Sequence, residues 1–179
     1  MSYDRIVIIG KPGAGKTTLA RQLVTSFQLK HVELDAIHWQ PNWGIPDKAD
    51  FRRWVSDALP ANERWVTDGN YSVTRDIVWG RADLAIWLDF PLWLTLWRLF
   101  WRTLARWFWQ KELWNGNREN LTDHLSFDKD KNLFLFAIGV HSRHREEYPA
   151  ALKEYSSLKV LRFRHPKELD QWLATFTKT

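Results

Sequence analysis

Short apolar, β-branched runs alternate along this chain with longer segments of helical periodicity. Arg5–Ile9 (RIVII) ends in Gly10 and reads as a buried parallel strand. Lys16 to Phe27 places Leu19, Leu23 and Phe27 on one helical face. His31–Leu34 predicts a second strand, and Ala36 to Lys48, with Pro41, Asn42, Gly44 and Pro46, predicts a loop. Asp50 to Leu59 is helical with Phe51, Trp54 and Val55 inward, stopped by Pro60. Arg64–Thr67 predicts a third strand, ended by Asp68-Gly69-Asn70, and Ala82–Leu88 a fourth, closed by Asp89-Phe90-Pro91. A long helix to about Lys111 follows, with Pro91 suited to its first turn. Asn115 to Asn120 is a polar break. Asp130 to about Tyr155 is helical again, with an interruption expected near Pro149. Leu158–Phe163 predicts a fifth strand and Pro166 to Phe176 a closing helix.

Strands alternating with helices imply right-handed crossovers and an α/β fold: a five-stranded parallel sheet with helices on both faces. Ligands of such sheets bind beyond the carboxyl ends of the strands. The segments leaving those ends are Gly10 to Thr17, Asp35–His38, Asp68–Tyr71, Asp89–Pro91 and Arg164–Pro166, where most of the chemically interesting side chains lie.

Gly10-Lys11-Pro12-Gly13-Ala14-Gly15-Lys16-Thr17 matches the P-loop pattern G-x-x-x-x-G-K-[ST] in full, with a strand before it and a helix after. Its glycines let backbone N–H groups wrap an anion, and the start of the following helix adds the positive end of its dipole. The candidate nucleotide-binding residues are therefore Gly10, Pro12, Gly13, Ala14, Gly15, Lys16, Thr17 and Thr18. Lys16 is expected on the terminal phosphates and the Thr17 hydroxyl on Mg²⁺. A magnesium site of this type also needs a carboxylate ending a neighbouring strand, and Asp68 fits. An Asp-Gly turn is the plain alternative, but the P-loop creates the need and favours the magnesium role.

Composition narrows the partners only slightly. At 179 residues, 45% hydrophobic and 26% charged, the chain suits one globular domain spanning 1–179. Cysteine is absent, which fits a reducing cytosol, and residues 1–9 show no signal-peptide pattern. The net charge of +5 lies wholly in residues 91–179, which hold fifteen Lys and Arg against ten Asp and Glu. Such a half suits nucleic acid, an anionic membrane or a polyphosphate. Leu92 to Trp109 is nearly apolar, yet Arg98, Arg102 and Arg106 sit inside it, so no transmembrane segment is expected.

The P-loop with Pro12 and Gly13, and Asp68-Gly69 ending a later strand, resemble the adenylate-kinase-like group of small P-loop kinases. Within that group, Leu34-Asp35-Ala36-Ile37-His38-Trp39, Asp68-Gly69-Asn70-Tyr71 and Gly116-Asn117-Arg118-Glu119 resemble the DNA topology modulation proteins. The resemblance implies adenylate-kinase-like topology, ATP binding, a mobile helical lid over about residues 92–147, and an effect on DNA topology. Asp35 to Pro46, with His38, Trp39 and Trp43, departs from the acceptor segment of true adenylate kinases and argues against AMP as acceptor.

On the acceptor side, the Asp35-x-x-His38 spacing resembles gluconate kinases. A carboxylate there could orient an acceptor hydroxyl and take its proton; an Asx-turn or helix cap is the plain alternative. His38 reads first as a structural histidine, and Trp39 and Trp43 as pocket floor or core shield. Arg98, Arg102 and Arg106 form one helical face, and Trp93, Trp97 and Trp101 another roughly 140° away, with the tryptophans expected to pack on the sheet. The arginine face suits a solvated surface, a DNA or membrane surface, or a lid on the triphosphate, as do Arg118, Arg143 and Arg145. His141 and His144 lack partners that would complete a metal site.

Together these features predict a cytoplasmic P-loop kinase that binds ATP and Mg²⁺ and transfers the γ-phosphoryl group to a small nucleotide or other hydroxyl-bearing acceptor. Lys16, Asp35, Asp68 and Arg102 are the expected catalytic residues, and Thr17 and Asp68 the metal ligands. The rival is an ATP-dependent DNA-binding or DNA-topology-modulating regulatory protein without a small acceptor. It is disfavoured because duplex binding needs basic residues spread over an open surface.

Overall fold

The computed structural model describes residues 3–110, 112–118 and 132–176. Lys111, Glu119, Asn120 and Asp130, on which several sequence expectations fall, lie outside the described residues. Five strands, β1 (Arg5–Gly10), β2 (Lys30–Glu33), β3 (Trp65–Asp68), β4 (Leu84–Leu88) and β5 (Lys159–Phe163), form a parallel sheet in the order β2-β3-β1-β4-β5. The helices are α1 (Lys16–Phe27), α2 (Leu34–His38), α3 (Lys48–Ala58), α4 (Arg75–Arg81), α5 (Leu92–Phe108), α6 (Leu133–Lys153) and α7 (Pro166–Phe176).

Alternation along β1 builds two cores. Val7 and Ile9 join Phe51, Val55, Trp65, Trp79 and Tyr148 from α3, β3, α4 and α6 on one face. Ile6 and Ile8 join Leu19, Leu23 and Leu169 from α1 and α7 on the other. Both faces of the sheet are thus covered by helices, as a parallel sheet with apolar strands requires.

The structure departs from expectation at four places. Residues 34–38 form α2 directly after β2, where a loop was predicted, because Leu34 is buried against Gly69 and draws the chain into a turn. α4 fills the stretch between Asn70 and Ala82, which carried no predicted element; its apolar periodicity, Val78 and Trp79 inward, is only seven residues long. α6 runs unbroken through Pro149, whose exposed position leaves the unpaired carbonyl one turn back open to water.

The largest correction concerns α5. Its buried residues are Thr95, Leu99 and Thr103, whereas Trp93 is 69% exposed, Trp97 57% and Trp101 50%. The tryptophans face away from the protein instead of packing on the sheet. The reason is close approach: a Cβ on Gly13 would lie 2.2 Å from the Thr95 carbonyl oxygen and 3.2 Å from the Leu99 Cβ, so the Thr95 and Leu99 face, narrower than the tryptophan face, packs on the P-loop. No described helix is long and apolar enough to cross a membrane.

Candidate active site at the carboxyl edge of the sheet

The P-loop leaves β1 at Gly10 and enters α1 at Lys16. Gly13 has φ of 78°, a conformation costly for a side-chain-bearing residue, and there is no room for a side chain there either. The half-buried Lys16 donates from Nζ to the Lys11 carbonyl at 3.1 Å. Burial lowers its pKa, the charges of Asp35 and then Asp68 raise it, and Arg102 lowers it again. Lys16 therefore lies in the field of both candidate carboxylates and of one candidate lid arginine. Ala14 is buried and Thr18 is exposed on the outer side of α1.

Asp68 is the last residue of β3, not part of a free turn. Its Oδ2 accepts from Thr17 Oγ1 at 2.6 Å, and Oδ1 lies 2.7 Å from His31 Nε2. The register that pairs Ile8 and Glu33 with Asp68 brings the end of β2 to the same edge. Burial pushes the Glu33 carboxyl up, a hydrogen bond with Trp114 opposes this, and the neighbouring Asp68 and Asp35 charges push it further up.

Asp35 lies in the first turn of α2, but the N-cap is Glu33, so Asp35 is not the helix cap. Its Oδ1 accepts from the Tyr71 hydroxyl at 2.6 Å. Burial, followed by the Asp35 charge, raises the Tyr71 pKa and keeps the phenol protonated as a donor. His38 is ringed by Tyr71 at 4.4 Å, Trp39 at 4.8 Å and Phe51 at 4.9 Å, and burial lowers its pKa.

The Asn115–Arg118 segment, a lid candidate, is docked against residues 39–43, just after α2. Asn115 Nδ2 donates to the Trp39 carbonyl at 2.6 Å and Asn117 Nδ2 to that of Gln40 at 2.9 Å. Asn117 Oδ1 in turn accepts from the Trp43 backbone at 2.8 Å, and the Arg118 carbonyl from Trp43 Nε1 at 3.3 Å. Trp39 and Trp43, in edge contact at 5.3 Å, thus form a wall closed by this segment.

α5 and α6 lie over the P-loop side. Arg98 reaches to 3.8 Å from where a Cβ on Gly15 would stand, and the Arg102 charge is felt at Lys16. Arg143 is exposed, while Arg145 is bound at 2.9 Å to Asp89, which also holds Arg162 at 2.6 Å. Four polar residues at this edge were not singled out as site residues from the sequence. Lys11 is buried, donates to the Phe90 carbonyl at 2.6 Å and to His141 Nδ1 at 2.7 Å, and burial brings its pKa down to about 8. His141 belongs to this polar layer through Lys11; among the described residues no group of three or more His, Cys, Asp or Glu is placed to hold a metal ion. His144 stacks on Tyr148 at 4.3 Å. Burial, then the charges of Lys16, Arg143, Lys11 and Arg75, lower its pKa to about 3. The Tyr148 hydroxyl accepts from Asn70 Nδ2. Only long-range packing brings α6 to the P-loop, so the visible signal was limited to the i,i+3 histidine pair and the Asp68-Gly69-Asn70-Tyr71 string.

No known family model matches the chain, and no curated protein matches it. Solved structures do. A gluconokinase from Sinorhizobium meliloti 1021 superposes with a TM-score of 0.52 at 16% identity, covering 90% of this chain and 83% of that one. A shikimate kinase from Acinetobacter baumannii in complex with shikimate gives 0.54 at 16% identity over 98% and 93%. A shikimate kinase from Bacteroides thetaiotaomicron gives 0.55 at 16% identity over 99% and 98%. The likeness extends over nearly the whole chain and shows a shared fold.

Proposed function

We propose that the chain is an ATP-dependent kinase that transfers the γ-phosphoryl group to the hydroxyl of a small acceptor. The observation that carries this is the gathering at one sheet edge of the P-loop with Thr17, bonded to Asp68 at 2.6 Å, and of Asp35, bonded to Tyr71 at 2.6 Å, with both carboxylate charges acting on Lys16. A triphosphate held by the P-loop would present its terminal group at the Lys16 ammonium, between the two carboxylates. The solved structures of similar fold are named as gluconokinase and shikimate kinase, which agrees with a small acceptor.

Thr17 and Asp68 fit a magnesium site, since their oxygens already meet at 2.6 Å beside a glycine cradle with no room for side chains at Gly10 or Gly13. Mg²⁺ bound there would neutralise charge on the terminal phosphates and favour departure of ADP. Asp35, with Oδ1 fixed by Tyr71, keeps Oδ2 for the acceptor hydroxyl. As the acceptor oxygen bonds to phosphorus and the bond to the bridging oxygen breaks, Asp35 takes the hydroxyl proton. Arg98 and Arg102 stabilise charge on the transferred oxygens and help exclude water.

A cytosolic location, where ATP is abundant, goes with this activity. The likeness to DNA topology modulation proteins rests on three short strings, and we rank duplex DNA as the weaker partner. Arg98 and Arg102 turn toward the P-loop, and the outer face of α5 is aromatic.

The test is a screen of the purified chain with Mg²⁺·ATP against sugars, small hydroxy acids and nucleosides, reading ADP formation. Acceptor-dependent acceleration is expected. An ADP rate indifferent to every acceptor, combined with tight duplex binding that Mg²⁺·ATP modulates, would favour the regulatory rival.

A further inference from the structure

α5 has two contrasting faces. Thr95, Leu99 and Thr103 are buried, and Thr95 and Leu99 lie against the P-loop. Trp93, Trp97, Phe100, Trp101, Trp107 and Phe108 are 41–70% exposed. At 100° per residue these six fall within an arc of roughly 120°, turned away from the buried face. Trp101 meets Trp97 and Phe100 edge-on, each at 5.5 Å, so the rings join into one surface and are not scattered single exposures. Taking about 200 Å² for a whole aromatic side chain, that surface is on the order of 600 Å². Soluble monomers rarely carry an apolar patch of this size without a partner for it.

Two observations choose the partner. The first is residue type. The indole N–H groups of Trp43 and Trp65 donate to carbonyls, whereas those of Trp93, Trp97 and Trp101 meet no acceptor among the described residues. A flat apolar ring with a free donor at its rim suits the boundary between headgroups and acyl chains, where tryptophan concentrates. The second is charge. Residues 91–111 hold Arg98, Arg102, Arg106 and Lys111 and no Asp or Glu, within a half of the chain that carries the whole net charge of +5. Arg98, which borders the rings, is exposed. A second copy docked by the same face would bring two such helices together, with no carboxylate on either to meet the arginines. An anionic surface meets them directly.

We propose that the aromatic face of α5 docks the protein on an anionic lipid surface, with the helix lying in the plane of the interface and its rings at headgroup depth. The basic residues of the same stretch draw the protein to the membrane, and the rings hold it there. The docking needs no catalytic residue and stands apart from the kinase activity proposed above.

The experiment floats the full chain with vesicles of phosphatidylcholine, alone or mixed with about one third phosphatidylglycerol. Wild-type protein should float with the mixed vesicles and bind neutral ones at least about tenfold more weakly. Trp97→Gln should weaken binding to the mixed vesicles about threefold, and Trp93→Gln, Trp97→Gln and Trp101→Gln combined at least about tenfold. Circular dichroism and Mg²⁺·ATP affinity should stay unchanged in both variants; if the triple variant fails to fold, Trp97→Gln carries the test. Tryptophan fluorescence of the wild type should shift to the blue on binding, and less so in the folded variants. Absence of flotation, equal binding to neutral and anionic vesicles, or binding that the substitutions leave within twofold overturns the proposal. A wild-type dimer in sedimentation that Trp97→Gln dissociates, without flotation, assigns the face to a second copy and overturns it too.

Discussion

At the scale of single residues, charge placement at the sheet edge decides what each substitution does. Asp68 holds both Thr17 and His31, so its carboxylate is already oriented by two neighbours. Asp68→Asn keeps the shape and removes the charge that would hold a divalent ion. The Mg²⁺ concentration needed for half-maximal nucleotide turnover should rise in the variant, while metal-free nucleotide binding changes little. An unmoved midpoint would make Asp68 a structural residue only. His144 gives a pH prediction. Its pKa is lowered from 6.5 to about 3, so the unfolded chain takes up the proton more readily between those values. The stability this neutral histidine contributes is present above pH 6.5 and is lost as pH falls toward 3. Between pH 7 and pH 4 the loss is roughly 3 kcal/mol. Urea unfolding at pH 7 and pH 4 should show a smaller difference for His144→Phe than for wild type; equal differences would contradict the burial and charge argument.

At the scale of elements, α5 shows which information is local. Its existence was legible from Pro91 and the long apolar run, yet its orientation was not. Aromatic residues read as core, but the P-loop demands a close neighbour, and Thr95, Leu99 and Thr103 provide that face. Leu99 is fully buried, so Leu99→Ala should cost about 2–5 kcal/mol. Trp97, 57% exposed, should cost less than about 1 kcal/mol on the same change. Chemical unfolding of the two variants checks the order, and a costlier Trp97→Ala would restore the sequence expectation. β1, the P-loop and α1 were fully legible because strand, turn and helix are consecutive there. Asp68 stands at the end of β3 as its place in the sequence implied, whereas Asp35, expected to follow the second strand directly, lies in the first turn of α2. The contributions of Lys11, His141, His144 and Tyr148 depend on α6 crossing the P-loop about 130 residues later in the chain, which no local pattern encodes.

At the scale of the whole molecule, the strand order places β1 centrally, with β3 and β4 on either side, so the P-loop lies between Asp68 and Asp89. Asp89 collects Lys11, Arg145 and Arg162 into one charge cluster that anchors α6 and β5, while Asp68 stays with Thr17 and His31. One carboxylate thus ties the frame together, and the other is the one that the proposed function assigns to a metal ion. Trp39, Trp43 and the Asn115–Arg118 segment are tied together beyond α2. On the proposed function, exclusion of water from the site would favour transfer to an organic hydroxyl over transfer to water. The most direct measurement is therefore the fate of the γ-phosphoryl group. With γ-labelled Mg²⁺·ATP and a pool of small hydroxyl metabolites, wild-type protein should place the label in an organic phosphoester. Asp35→Asn should lose that product and still bind nucleotide with nearly unchanged affinity. Label appearing solely as inorganic phosphate, at equal rates in wild type and Asp35→Asn, would contradict the account and identify the chain as a hydrolase or an ATP-driven regulator.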